Sequence, residues 1–233
     1  TGIDHLRSTL KKKFEITEKI NPKVIMGIEV ERDRARRWGK LHQTQFATAL
    51  FLKHNMSECN RGTETPVDPG MAKAMMLLPT DGPRDPEIIK KYQSLVGDLM
   101  WLLKTRPDLL FTVNLLSRYL QCATKEHYNF ARDRPLRYLR ETLGHGLEFL
   151  AGTGEWILTG SADSDLAGDI NTARSTLGGH LQIGEIGSLI DYCKLARAIA
   201  TCTGQAETCA LLNMSKSAVW LRGLLEELAH PMT

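Results

Sequence analysis

The 233-residue sequence contains no apolar run close to the roughly 20 residues that a membrane-spanning helix needs. Its first stretch, TGIDHLRSTLKKKF, has no apolar core of the kind that defines a secretory signal peptide. The five cysteines are odd in number, scattered and free of C-x-x-C spacing, which indicates neither a zinc site nor a disulfide framework. From these absences we expect an intracellular protein, cytoplasmic or nuclear, with no membrane partner.

Three familiar catalytic signatures are also missing. The sequence has no Walker-type phosphate loop, no dinucleotide-binding fingerprint and no nucleophile elbow. His127 and His180 have no second ligand at metal-binding spacing, so we interpret them as structural or exposed residues. The candidates for chemistry are therefore carboxylates and clustered cations.

The charge of the chain is unevenly divided. Residues 1–150 carry 25 Lys and Arg against 18 Asp and Glu, whereas residues 151–233 carry 5 against 9. The hydrophobic period changes from helical to alternating within the glycine-rich stretch 144–154. We therefore predict an α/β protein in two parts, 1–143 and 144–233. Their opposite net charges indicate different functions.

The first part reads as helices and one hairpin. A basic amphipathic helix is predicted over residues 3–14, and VIMGIEVERD alternates like a strand that RARRWGKLHQ turns back. TQFATALFLKHNM has helical spacing, whereas Pro and Gly recur so often over 62–85 that we expect a loop with little regular structure. Three further helices are predicted, one in EIIKKYQSLVGDLMWLLKT, one opening on Asp108 as N-cap and one opening on Thr124.

The second part reads as a small sheet followed by helices. GLEFLAG, WILTGSAD, LGGHLQIGE and SLIDYCK alternate as four short strands, mostly antiparallel. Two helices, near residues 198–213 and 215–229, are predicted to follow them.

An acidic stretch, SADSDLAGDI, follows a strand-like apolar run and holds Asp163, Asp165 and Asp169. Carboxylates at a strand end often hold a divalent cation, because hard cations prefer oxygen ligands. Asp and Gly also stabilise tight turns without any metal. These ten residues alone leave both interpretations open.

A basic stretch, RARRWGK, offers a candidate nucleic-acid contact. Its cations are Arg34, Arg36, Arg37 and Lys40, with Trp38 as a possible stacking platform for a base. Exposed charges on a hairpin are more often simply solvated than engaged with phosphates.

The middle of the chain resembles the segment that joins reverse transcriptase to ribonuclease H in the Pol polyprotein of copia-type LTR retrotransposons. The resemblance rests on YQSLVG, TRPD, TKEH and LRYL in that order. Upstream, KKKFEI, MGIEVERD, LHQTQF and TPVDP resemble the end of the polymerase domain; downstream, GSADSDLAGD, ARSTLGG, AIATCTGQAETCALL and VWLRGLLEEL resemble the start of ribonuclease H. The resemblance covers essentially the whole chain.

This resemblance implies a helical and hairpin end of a reverse transcriptase, followed by an incomplete ribonuclease H-like mixed sheet with helices. It implies that Asp163 and Glu207 hold Mg²⁺ for cleavage of the RNA strand of an RNA–DNA hybrid, and so it favours the metal interpretation of the acidic stretch. Helical spacing is expected to place Glu207 on one stripe with Ala210 and Leu211, facing the sheet. A turn or supporting role is expected for Asp165 and Asp169.

Several features depart from the family pattern. The polymerase Asp pair of the family lies just upstream of its TG, where this sequence starts, and a further ribonuclease H Asp lies beyond LLEEL, near where it stops. Pro135 falls within a predicted helix, Gln205 replaces an acid and Leu166 replaces an aromatic residue. We expect a Pol fragment that is inactive alone.

Three functions remain open at this point. The first is a nuclease fragment that acts with Mg²⁺ and the remainder of a Pol polyprotein. The second is a non-catalytic module that binds an RNA–DNA hybrid or duplex. The third is a translated relic without a cellular role. The nuclease fragment requires a further Asp, supplied by a longer product or by a partner, whereas the non-catalytic module does not.

Overall fold

The computed structural model describes residues 2–17, 19–57, 62–150, 157–184 and 186–227, without the side chains of residues 2, 3 and 6. These ranges contain seven α-helices: α1 (Gly2–Lys13), α2 (Thr44–Lys53), α3 (Pro69–Met76), α4 (Pro86–Leu102), α5 (Leu110–Ser117), α6 (Lys125–Glu141) and α7 (Thr203–Glu227). The strands are β1 (Val24–Ile25), β2 (Ile28–Asp33), β3 (Trp38–His42), β4 (Leu147–Leu150), β5 (Leu158–Ser164), β6 (Thr176–Ile183) and β7 (Ser188–Leu195). They form two antiparallel sheets, which confirms a mixed α/β protein.

The first sheet has the order β1-β2-β3-β4 and contains the predicted hairpin. The Asp33 carboxylate accepts hydrogen bonds from the backbone N–H groups of Ala35 and Arg36, which stabilises the turn between β2 and β3. The prediction of one continuous strand over VIMGIEVERD is wrong, because Met26 and Gly27 have φ of 50° and 76° and reverse the chain between β1 and β2.

Strand β4 pairs with β3 and so belongs to the first sheet, with Leu150 opposite Trp38 and Leu147 opposite Leu41. The sequence pattern predicts instead that it belongs with the strands that follow. Local alternation predicts that a segment is a strand but does not specify its partner, which explains the difference.

The largest core lies among α4, α5 and α6. Its fully buried side chains include Tyr92, Leu95, Leu99, Leu102, Leu109, Leu115, Leu116, Leu136 and Leu139. The predicted N-cap Thr124 is confirmed: it forms a capping box with His127, in which each side chain bonds the backbone of the other residue. Helix α6 continues through Pro135, which is buried and lacks the N–H that would bond the carbonyl of Ala131.

Two local predictions about the helices are wrong. The segment 62–85 is not irregular throughout, because Asp68 caps α3 by accepting from the N–H of Met71. Asp108 is not an N-cap; its carboxylate accepts from the Arg106 guanidinium, with the shortest bond at 2.6 Å. Burial opposes the ionisation of Asp108, but the bond and charge of Arg106 outweigh it and lower the pKa of that carboxyl.

The second sheet has the order β5-β6-β7, and α7 packs across one of its faces. The buried stripe of α7 consists of Ala206, Ala210, Met214, Leu221 and Leu225. A Cβ at Gly179 would lie 2.4 Å from the Tyr192 ring and 2.5 Å from Met214, so only glycine allows this close packing. The prediction of two helices is wrong: α7 is continuous, since neither glycine nor proline interrupts the chain near the buried Met214.

A buried ion pair joins the second sheet to the helical core. Arg118, which directly follows α5, donates to the carboxylate of Asp169 in the loop between β5 and β6 at 3.0 Å. Their side chains are 12% and 3% exposed. The guanidinium also donates to Asn114 at 2.9 Å and to the Thr176 hydroxyl at 3.2 Å, and Thr172 donates to Asp169. One hydrogen-bonded cluster therefore fixes the acidic loop against α5.

No helix in the described ranges combines the length and the apolar character that crossing a membrane would require.

We predict that Asp169→Ala lowers the free energy of unfolding by about 3–5 kcal/mol, because it leaves the Arg118 charge buried without a counterion. The double variant Arg118→Met, Asp169→Leu is the control and should recover most of this loss, since it removes both charges and restores apolar volume. Urea denaturation measures both. A loss for Asp169→Ala of about 0–1 kcal/mol, as for an exposed pair, would show that this contact does not hold the loop.

We predict that acid destabilises the protein through His127, which is fully buried and whose Nε2 has no hydrogen-bond partner among the described residues. Burial lowers the pKa of His127 below its unfolded value of about 6.5. The unfolded chain therefore binds a proton first, and stability falls as the pH drops below that value, by up to about 1.4 kcal/mol per pH unit.

The matched variant is His127→Gln, since a glutamine at this helix position can still accept from the N–H of Thr124 but does not titrate. Its unfolding free energy, measured by urea denaturation between about pH 8 and pH 5, should fall less steeply than that of the parent. A residual slope from His54 is expected in both proteins, because burial also lowers the pKa of His54. Identical slopes would contradict the role of His127.

Candidate functional site

The acidic loop after β5 uses two of its three aspartates for its own structure. Asp169 is buried in the ion pair with Arg118, and Asp165 accepts a hydrogen bond from the backbone N–H of Thr176 across the loop. The N–H of Ala167 also donates to the Ser175 hydroxyl, at 3.3 Å. These contacts give Asp165 and Asp169 the structural role expected for an Asp-rich turn.

Asp163 lies on the face of the second sheet that is turned away from α7. It pairs with Gly178, whereas its neighbour Ala162 pairs with Gly179 and packs toward α7. Since successive residues of a strand point to opposite faces, Asp163 points toward α5. There it borders an open cleft of ≈ 390 Å³ together with Phe111 of α5.

The cleft beside Asp163 contains three further aspartates and a cysteine. Asp108, Asp165 and Asp191 also line it, and so does Cys193. Burial raises the pKa of the Cys193 thiol to about 11, which keeps it protonated and unsuited to act as a nucleophile or metal ligand.

Glu207 lies on α7, on the other side of the sheet. Its side chain is exposed, whereas Ala206 and Ala210 on either side of it are buried against the strands. The expected stripe of Glu207, Ala210 and Leu211 is only partly right, because Ala210 faces the sheet but Leu211 is 60% exposed. The residues that face the sheet are Ala206, Ala210 and Met214, at a spacing of four, so Glu207 and Leu211 each lie one position beyond this stripe.

In this arrangement Asp163 lies on the face of the second sheet that is turned away from α7, whereas Glu207 lies on α7 itself. In the described ranges, no group of three or more His, Cys, Asp or Glu side chains is placed to hold a metal. Mg²⁺ needs oxygen ligands gathered at one point in near-octahedral geometry. The assignment of these two residues as ligands rests on the family resemblance alone.

The basic stretch divides into a free part and a paired part. Arg34, Arg36 and Arg37 lie together on the exposed turn between β2 and β3, with the Arg36 side chain 85% exposed. Arg34 donates to Asn21 at 3.1 Å, and Arg36 approaches Asp33 at 3.5 Å. These contacts are weak in solvent, so the three guanidinium groups remain available to an anion.

Lys40 and Trp38 are less available than the turn arginines. Lys40 is 18% exposed and pairs with Glu148 of β4 at 3.0 Å, and this bond and charge lower the pKa of the Glu148 carboxyl. Trp38 is half-buried opposite Leu150. The sequence could not show this, because it does not reveal that β4 pairs with β3.

Two histidines that the sequence left as structural or exposed have defined contacts. His127 is a buried helix cap. His180 has one nitrogen 2.7 Å from Asp191 and the other 3.0 Å from Gln182. The hydrogen bonds to Gln182 and Asp191 raise the pKa of His180 despite partial burial.

Similar proteins were found among curated sequences. The retrovirus-related Pol polyprotein from transposon TNT 1-94 of Nicotiana tabacum is 32% identical over 228 residues, which is 97% of this chain and 17% of that polyprotein. The Pol polyprotein from transposon RE2 of Arabidopsis thaliana is 31% identical over 233 residues, 98% of this chain and 15% of the relative. Secreted RxLR effector protein 161 of Plasmopara viticola is 38% identical over 133 residues, 56% of this chain and 90% of that protein.

No family model matches the chain, and no solved structure is significantly similar to it. The chain spans about a sixth of the length of the Pol polyproteins that it matches, 17% of one and 15% of the other. Since these polyproteins are similar to it along almost its entire length, as the YQSLVG, TRPD and LRYL segments indicated, the chain belongs to the Pol polyprotein family of copia-type retrotransposons.

Proposed function

We propose that the chain is a nucleic-acid-binding segment of a Pol polyprotein that does not cleave nucleic acid by itself. In this proposal, residues 1–143 derive from the end of the reverse transcriptase and residues 144–233 from the start of the ribonuclease H. The partner is an RNA–DNA hybrid or a duplex. The observation that carries the proposal is the exposed cluster of arginines on the turn between β2 and β3. The positions of Asp163 and Glu207 on different sides of the second sheet support the absence of cleavage.

The charge distribution supports binding by the first part. Residues 1–150 carry a net positive charge of 7, from 25 cations and 18 anions. Phosphate contacts by Lys and Arg provide most of the affinity in sequence-independent binding. The turn Arg34–Arg37 presents three guanidinium groups within four residues of the chain, and each can form two parallel bonds with a phosphate.

The geometry argues against hydrolysis. Ribonuclease H chemistry as the family resemblance implies it uses two metal ions held by converging carboxylates. In this structure Asp165 and Asp169 are engaged in the loop, Asp163 faces α5, and Glu207 is exposed on α7. Asp165 and Asp169 therefore maintain the fold, while Asp163 and Glu207 lie on different sides of the second sheet.

We predict that replacing Arg34, Arg36 and Arg37 together by Ala weakens binding to a mixed-sequence duplex. The slope of log affinity against log salt should become shallower by up to about 2.7, because three phosphate contacts and their released counterions are lost. Fluorescence anisotropy over a salt series measures both quantities. The control replaces Arg84, Lys90 and Lys91, three exposed cations of the first part, by Ala, and it removes the same charge. If both triple variants lose the same amount, binding depends on net charge and not on the turn.

We predict that the purified chain does not cleave an RNA–DNA hybrid in Mg²⁺ or Mn²⁺ above the background set by Asp163→Asn. Losing part of a two-metal site removes several kcal/mol of transition-state stabilisation, and each 1.36 kcal/mol changes the rate about tenfold. Gel analysis of a labelled RNA strand is the measurement. Cleavage by the parent that disappears in Asp163→Asn would overturn the non-catalytic proposal, while binding to the uncleaved hybrid would leave the binding part intact.

A further inference from the structure

The second part of the chain concentrates its positive charge in one groove. This groove, of ≈ 460 Å³, lies between the end of β7 and the first half of α7. Residues 151–233 contain only five Lys and Arg, and three of them, Lys194, Arg197 and Lys216, line the groove. None of the seven Asp and Glu that the structure describes in this part does so. Three of the five cations of an otherwise acidic part of the chain therefore lie in one groove, which makes this groove a candidate site for an anion.

The cations of the groove are free to bind. Arg197 and Lys216 are exposed and have no hydrogen bond or ion pair with the described residues. Lys194 donates to the side-chain oxygen of Asn213, and its ammonium lies 5.4 Å from the centre of the Tyr192 ring. Because no carboxylate among the described residues neutralises these groups, an incoming phosphate would displace no anionic partner there.

The groove also has an apolar surface between its cations. Ile199 is 57% exposed and Leu212 is 54% exposed, and both line it. A ligand that carries regularly spaced negative charges and accessible flat apolar groups matches this combination. The bases of a duplex are stacked inside the helix, whereas those of a single strand can lie against a protein surface.

We propose that this groove binds single-stranded nucleic acid, with phosphates at Lys194, Arg197 and Lys216 and bases against Ile199 and Leu212. The proposal rests on the proposed nucleic-acid-binding function and assigns it a second surface, on the opposite part of the chain from the arginine turn. The turn would contact the duplex, and the groove would hold a strand that is not paired. Two surfaces of this kind suit a substrate with both a duplex and an unpaired segment.

The test uses the full chain, a labelled short oligothymidylate and a blunt duplex of the same length. The variant Arg197→Ala, Lys216→Ala should bind the oligothymidylate more weakly, and its slope of log affinity against log salt should be shallower by about 1.4, from two lost single-strand phosphate contacts. Its affinity for the duplex should be unchanged. The control Lys90→Ala, Lys91→Ala removes two exposed cations from α4 and should behave like the parent with the oligothymidylate.

A second variant addresses the apolar surface. Leu212→Ser leaves every charge in place at an exposed position, where folding is little affected, and should weaken oligothymidylate binding without changing the salt slope. Circular dichroism and urea denaturation confirm that each variant is folded as the parent is.

The outcomes separate the groove from the proposed function. Unchanged oligothymidylate binding in the groove variants, together with loss of duplex binding in the Arg34–Arg37 variant, would overturn the groove and leave the proposed function standing. No binding of either nucleic acid by the parent at low salt would overturn both. Displacement of the oligothymidylate by poly-glutamate at equal charge concentration would show that the groove recognises only negative charge. This result would contradict a single-strand site.

Discussion

The Arg118–Asp169 ion pair is the contact on which the arrangement of the acidic loop depends. Arg118 follows the helix that lies against the second sheet, and Asp169 belongs to the loop that connects the first two strands of that sheet. The two side chains are almost fully buried, so each charge requires the other. Asn171 of the same loop donates to the carbonyl of Met76 and to the hydroxyl of Tyr119, which extends the attachment to the helical core.

This attachment has a consequence for the chemistry of the chain. With the loop fixed against α5, the side of the sheet that carries Asp163 faces the helical core, while α7 covers the other side. A carboxylate that balances a buried guanidinium is not available to a metal, and one that accepts from the backbone of its own loop is restricted in the same way. The acidic stretch of this chain is therefore first a structural element. The exposed cations, on the β2–β3 turn and along the α7 groove, remain as the groups able to meet an external ligand.

Local features of the fold could be predicted from the sequence with some accuracy. The hairpin around Arg34–Arg37, helix α2 and the Thr124 cap follow from short-range periodicity and from side-chain to backbone hydrogen bonds a few residues apart. Predictions that depend on distant residues were wrong or incomplete. The partner of β4, the role of Asp108 and the burial of Asp169 are each decided by a residue far along the chain or by a pair that carries no motif.

In the candidate site, too, the sequence identifies residues but not their positions relative to one another. The three aspartates and Glu207 were found from the sequence pattern and the family resemblance, but the faces on which they lie depend on strand parity and on which side of the sheet α7 packs. Arg118 carries no sequence signal of its own beyond being a single cation at the end of an apolar helix. Likewise, the three groove cations are spread over residues 194–216 and become a cluster only when β7 and α7 pack together.

The central proposal, that Asp163 and Glu207 do not share a metal site in this chain, is tested most directly by paramagnetic relaxation with Mn²⁺. Amide resonances of the isotope-labelled protein would be followed while Mn²⁺ is added below one equivalent, because an ion held by two carboxylates broadens the amides near both. The account predicts that the amides of Asp163 and Glu207 do not broaden together at low Mn²⁺. Joint broadening of both at the same Mn²⁺ concentration, lost in Asp163→Asn and equally in Glu207→Gln, would contradict it.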